Sequence, residues 1–147
     1  MGTTENLWEA FAGESQANRK YLAFAKKAEE EGYSQIAKLF RAAAQAETVH
    51  AHAHLRVLKE VKGTLENLKS AMEGESHEFK VMYPEFIETA EKEGNKAALI
   101  SFKFANSVEK THFELYEKAY KCLEGGKDLP GADIYVCPIC GHTIDSE

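Results

Sequence analysis

Residues 34–61 read SQIAKLFRAAAQAETVHAHAHLRVLKEV. Ile36, Phe40, Ala43, Glu47, His50, His54, Val57 and Val61 follow one another at spacings of 4, 3, 4, 3, 4, 3 and 4. That rhythm marks the inward stripe of a packed α-helix. Glu47, His50 and His54 interrupt an otherwise apolar or small series. Their i,i+3 spacing puts carboxylate and imidazole on one helix face, so both can reach one centre.

The pattern occurs twice. Adding 62 carries Tyr21 to Tyr83, Phe24 to Phe86, Ala28 to Ala90, Gly32 to Gly94, Phe40 to Phe102, Glu47 to Glu109 and His50 to His112. Glu14 pairs with Glu75 at an offset of 61, so one residue is inserted between Glu75 and Tyr83. Gly32, Gly63, Gly94 and Gly125-Gly126 punctuate the chain into four segments, roughly 5–31, 33–62, 64–93 and 95–124. Each is rich in Ala, Glu, Lys and Leu, which favour helix. Further stripes run from Leu7 through Glu14 to Ala28, from Leu65 through Glu75 to Phe86, and from Ala98 through Glu109 to Leu123. The expected fold is all-α: a four-helix bundle of two antiparallel hairpins, with the link near Gly63 either a tight turn or a crossover.

Height along the helices puts six residues in one layer if the hairpins pack with both turns at the same end or about a two-fold axis through mid-bundle. Glu14, Glu47, His50, Glu75, Glu109 and His112 all lie ~22–28 Å from their hairpin turns at ~1.5 Å per residue. No Lys or Arg occupies the stripes at that level. Ionised carboxylates in an apolar layer are costly unless neutralised, and a metal is the simplest compensation. Two E-x-x-H helices, each partnered by a helix carrying one Glu, form the ligand set of a dinuclear carboxylate site. Mixed oxygen and nitrogen ligands suit iron or manganese better than structural zinc. A lone E-x-x-H is usually a solvated pair; two copies on apolar stripes are not. Glu78, one turn after Glu75, is either a solvated flank residue or a seventh ligand available to one metal. Tyr21 and Tyr83 are core tyrosines or hydrogen-bond donors to the acid layer.

The remaining histidines and Pro84 have plainer readings. His52 points away from His50 and reads as solvated, while His54 reads as a core or supporting residue. Pro84 should kink the third segment or remove one of its backbone hydrogen bonds.

Residues 127–147 differ from residues 1–126. Pro130-Gly131 reads as a linker or turn and Ile134–Val136 as a short strand, followed by the knuckle Cys137-Pro-Ile-Cys140-Gly141. Cys137 and Cys140 are candidate ligands of an additional Fe or Zn. A tetrathiolate iron needs four cysteines from two such knuckles. One knuckle is present, so the tail is expected not to assemble that centre by itself. Cys122 reads as a core residue, and His142 is too close to Cys140 to share its metal easily.

Composition narrows the function classes. Lys and Arg number 18 against 24 Asp and Glu, for a net charge of −6. Without a basic block, nucleic acid and anionic lipid are poor partners. No apolar run is long enough for a membrane span, and the polar, acidic N-terminus does not read as a secretory signal. Gly2 is not a myristoylation site, because Asn6 stands where Ser or Thr is needed. Three cysteines (122, 137 and 140) do not make a secreted disulfide framework, and a cytoplasmic protein is expected.

The motifs Gly13-Glu14-Ser15-Gln16-Ala17, Glu47-x-x-His50, Gly74-Glu75-Ser76-x-Glu78, Met82-Tyr83-Pro84, Glu109-x-x-His112 and Cys137-Pro-x-Cys140-Gly resemble the rubrerythrin family. The resemblance covers essentially the whole chain. It implies a ferritin-like bundle with a long crossover between hairpins, a non-haem di-iron centre, and a C-terminal rubredoxin-like segment, incomplete here. It implies Glu47 and Glu109 as bridging carboxylates, Glu14 as a terminal ligand of the first iron, and Glu75 and His112 as ligands of the second. His50 and Glu78 would exchange on the first iron, with Tyr21 and Tyr83 beside the site. The implied activity is an NADH-linked-type peroxidase of oxidative-stress defence that reduces hydrogen peroxide. Its electrons would come from a separate donor, such as rubredoxin or a pyridine-nucleotide-linked reductase. The implied assembly is a homodimer, domain-swapped or not. Two other readings are an iron-oxidising or iron-storing ferritin-like protein and a non-catalytic metal-binding or electron-transfer module.

Overall fold

The computed structural model describes residues 2–146. It contains helices α1 (Thr3–Glu30), α2 (Ser34–Leu58), α3 (Thr64–His77), α4 (Tyr83–Glu93) and α5 (Lys96–Glu124), with a π-helical turn, Glu78–Met82, joining α3 to α4. Strands β1 (Ile134–Val136) and β2 (Thr143–Asp145) follow. The chain divides into two compact units, residues 1–62 and 63–147.

In the first unit α1 packs along α2. The side chains that become buried are small: Ala25 and Ala28 from α1, Ala37, Ala44 and Ala51 from α2. Alanines at the contact line let the two backbones approach closely. A pair of helices buries little beyond that line, so Ile36 and Val57, read as inward from the sequence, are exposed in the structure. Polar bonds reinforce the seam. Asn18 Nδ2 donates to Ala44 O at 2.7 Å and to Thr48 Oγ1 at 2.9 Å. Near the turn, Arg41 pairs with Glu29, and Tyr21, Phe24 and Phe40 form a ring cluster with centroids 5.6–6.4 Å apart.

The second unit repeats this construction. Lys103 pairs with Glu91 at 3.1 Å, and Tyr83, Phe86 and Phe102 cluster at 5.5–6.3 Å. These are the same partners advanced by 62 residues. Both hairpin turns need a left-handed glycine, Gly32 at φ 86° and Gly94 at φ 68°. Asn95 then caps α5, its side chain accepting from the Ala98 N–H at 3.1 Å.

The inserted residue finds its place in the π-turn. An α-helix absorbs one extra residue by widening a single turn to i→i+5 bonding. Here the Tyr83 N–H bonds to Glu78 O, five residues back. Pro84 follows at the start of α4, where its missing N–H is harmless. Lys59 takes a left-handed conformation at φ 60° that ends α2, and residues 59–63 lead into α3.

β1 and β2 pair antiparallel, with Val136 opposite Thr143. Between them the knuckle turn closes through the Gly141 N–H to Cys137 O at 2.9 Å and the Cys137 N–H to His142 O at 2.8 Å. The hairpin is anchored on α5 by the ion pair Lys118–Asp145 at 2.6 Å.

Replacing Gly94 by Ala should destabilise the protein by about 1–2 kcal/mol, the cost of a left-handed Cβ. Gly13→Ala, in the helical interior of α1 with no atom within 4 Å of the new Cβ, should instead stabilise it by roughly 0.4–1 kcal/mol. Urea unfolding of both variants checks the pair of signs.

Candidate metal centre

Each unit gathers one Glu–Glu–His triad. In the first, α1 supplies Glu14 and α2 supplies Glu47 and His50; in the second, α3 supplies Glu75 and α5 supplies Glu109 and His112. Within each triad one ligand atom per residue lies within 4.8 Å of the others. Opposite ligands on a first-row ion stand about 4–4.4 Å apart, so a small adjustment of either triad suits such an ion.

The two triads are built alike. His50 Nδ1 is 2.9 Å from Glu47 Oε2 and 3.9 Å from Glu14 Oε1. His112 Nδ1 is 2.9 Å from Glu109 Oε2 and 3.6 Å from Glu75 Oε1. The i,i+3 spacing brings each histidine onto the glutamate of its own helix, and the partner helix supplies the second carboxylate. Their surroundings differ. The His50 side chain is 55% exposed and that of His112 only 29%.

Crowded carboxylates disturb one another's protonation. A hydrogen bond with Glu47 holds Glu14 above its ordinary value, and the same contact, followed by His50, holds Glu47 below. In the second triad burial comes first: with the charges of Glu109 and Glu78 it pushes Glu75 up to about 8. Glu75 Oε2 is buried with no hydrogen-bond partner among the described residues. An orphaned carboxylate oxygen facing a second carboxylate and an imidazole is the environment a divalent cation relieves. The donor set therefore fits a metal.

Glu78 lies outside both triads, on the π-turn. Burial, then the charge of Glu109, raises its pKa, while His77 and His112 oppose the rise. Tyr83 is raised by burial and by the charges of Glu109, Glu78 and Glu75. Among the described residues no hydrogen bond joins the Tyr21 or Tyr83 hydroxyl to a triad carboxylate. At the knuckle, backbone N–H groups of Cys140 and Ile139, then the Cys140 side chain, hold the Cys137 thiol below its ordinary value. All three cysteines are free thiols.

A family model described as rubrerythrin matches residues 5–120. The chain belongs to the rubrerythrin family. It is similar to nigerythrin of Nitratidesulfovibrio vulgaris, with 41% identity over 99% of this chain and 77% of that one. It is also similar to rubrerythrin-2 of Clostridium acetobutylicum, with 37% identity over 99% and 86%. Among solved structures, the fully reduced, all-ferrous nigerythrin matches at 38% identity with a TM-score of 0.56, covering 100% of this chain and 79% of that one. The fold class is the expected one, all-α and ferritin-like with a rubredoxin-like tail. Family membership and the carboxylate–histidine groups together support a di-iron centre. No helix among the described residues is long and apolar enough to cross a membrane.

Two contacts were not legible in the motifs. Asn18, a polar residue in an apolar stripe one turn after Glu14, ties α1 to the helix turn bearing Glu47. Thr143 of β2 touches His112 Nε2 at 2.9 Å. The first leaves a sequence signal, a polar side chain at an inward position. The second joins residues far apart in the chain and leaves none.

The pKa of Glu75 carries a stability prediction. Its folded value, about 8, exceeds the ordinary 4.5, so the unfolded chain gives up this proton first. Its stabilising contribution is complete below the ordinary value and is lost as pH rises through the folded value. The thermal midpoint of the metal-free protein should fall between about pH 5 and pH 9. Glu75→Gln should flatten that slope, as thermal melts in chelator would register.

Proposed function

We propose that this protein is a non-haem di-iron peroxidase of oxidative-stress defence, reducing hydrogen peroxide to water with electrons from a separate donor. The observation that carries this reading is the repeated Glu–Glu–His triad, with a buried, unpartnered Glu75 oxygen in the second copy. Glu14, Glu47 and His50 would hold one iron, and Glu75, Glu109 and His112 the other. When bound, two ferrous ions supply the two electrons by which hydrogen peroxide and two protons become two waters.

The chain's own residues account for the rest. His50, more than half exposed, is the ligand free to leave, whereas His112 is enclosed. Glu78 would be the additional carboxylate of the redox-linked exchange, and the π-turn sets it off the regular helical register. Tyr83, whose pKa is raised by burial and then by the nearby acids, would be a hydrogen-bond donor toward that region, and Tyr21 is its repeat counterpart. Residues 1–126 would form the di-iron part. Residues 127–147 would form a partial rubredoxin-like segment, in which Cys137 and Cys140 offer two of the four thiolates that a tetrathiolate iron requires, or a place for an additional Zn. Rubredoxin or a pyridine-nucleotide-linked reductase would be the donor, and a homodimer in the cytoplasm the working form.

The full chain, loaded anaerobically with ferrous iron, should bind two irons and be oxidised by hydrogen peroxide in a single rapid turnover. Glu47→Ala and Glu109→Ala should each lose metal. Glu78→Ala should keep two irons but slow steady-state peroxide reduction by roughly 10–100-fold, the usual scale for supporting groups at a metal site. Stopped-flow absorbance with iron analysis checks both, and wild-type kinetics in the Glu78 variant would remove the switching role.

A further inference from the structure

Thr143 is the only residue of the C-terminal hairpin whose side chain bonds to a triad residue among the described residues. Its hydroxyl lies 2.9 Å from His112 Nε2 and 3.0 Å from Gly141 O. A hydroxyl has one proton, and a carbonyl oxygen can only accept. The proton therefore goes to Gly141, and the Thr143 oxygen accepts from an N–H on His112 Nε2. A neutral imidazole carries one N–H, so Nδ1 then presents its lone pair. Nδ1 is the atom that faces Glu109 and Glu75. If that atom takes a proton instead of a metal, Nε2 still donates to Thr143.

We infer that Thr143 is the positioning residue of the second triad, fixing the His112 ring as the Nε2–H tautomer with Nδ1 aimed at the metal position. The inference rests on the reading of His112 as a metal ligand. The fold places this hydroxyl by several independent constraints. Thr143 is paired with Val136 across the hairpin, and Gly141, at φ 82°, closes the knuckle turn just before it. Thr143 and Asp145 lie two apart on β2 and so share a face. Both meet α5, at His112 and at Lys118, while Ile144 between them is exposed. A ligand histidine whose outer N–H is held this way keeps its tautomer and its ring orientation.

The first triad has no such support. Among the described residues nothing bonds to His50 Nε2, and its side chain is nearly twice as exposed as that of His112. The asymmetry makes the second triad the more firmly held metal position of the two.

The test uses the full chain and Zn2+ as a diamagnetic probe. Thr143→Val keeps the side-chain shape and removes the hydroxyl; Thr143→Ser restores it. In the Zn-loaded wild type, the His112 ring nitrogens should report an Nε2–H tautomer with a slowly exchanging proton. In Thr143→Val that proton should exchange rapidly. Affinity for one of two Zn2+ ions, measured by chelator competition, should drop about 10–100-fold. Thr143→Ser should recover both signals, and circular dichroism should be unchanged throughout. Glu109→Ala assigns the affected ion. If Glu109→Ala loses an ion while Thr143→Val binds both as wild type with an unchanged His112 proton, the positioning role is wrong and the metal site stands. If Glu109→Ala and His112→Ala lose no ion, the metal reading fails and the Thr143 inference with it.

Discussion

Carboxylates gathered on packed helices repel one another, and a positive charge must lie among them. This constraint organises the protein. The acids of the triads find their ion pairs with His50 and His112 alone among the described residues, while the lysines and arginines pair elsewhere along the helices. One imidazole cannot satisfy four carboxylate oxygens. In the second triad the shortfall is visible as a raised Glu75 and an orphaned oxygen. Burial makes the defect costly, and a bound cation removes it.

Much of this was legible from spacing. The 62-residue offset relates the turns, the ring clusters, the turn-side ion pairs and the triads, because a repeated helical hairpin repeats its neighbours. The E-x-x-H pairs could be read directly, since i,i+3 geometry is local. The burial of large stripe residues was not legible. Periodicity says which face is apolar and says nothing of how much surface a given pair of helices covers, so the contact line turned out to be alanine and Ile36 and Val57 stand open. The end of α2 was also hidden, because Lys59 carries no composition signal for a left-handed conformation. Thr143 escaped for another reason: its contact with His112 exists only once the knuckle has folded back on α5.

The two halves are built alike and differ by small means. One hydroxyl from the hairpin engages His112, and one added residue alters the helix beside Glu75. Both changes leave the identity of the six repeated triad residues unaltered. The repeat thus keeps its Glu–Glu–His triads while leaving the first the more exposed of the two.

The π-turn has a mechanical meaning beyond its bookkeeping of residues. An insertion in an α-helix would rotate everything downstream by about 100°. Tyr83, Phe86 and Ala90 would then leave the face their counterparts Tyr21, Phe24 and Ala28 occupy. The widened turn, Glu78–Met82, works as a shim that restores their alignment. The shim opens with Glu78, so the change of helical register falls at the carboxylate that the charges of Glu109 and His112 reach.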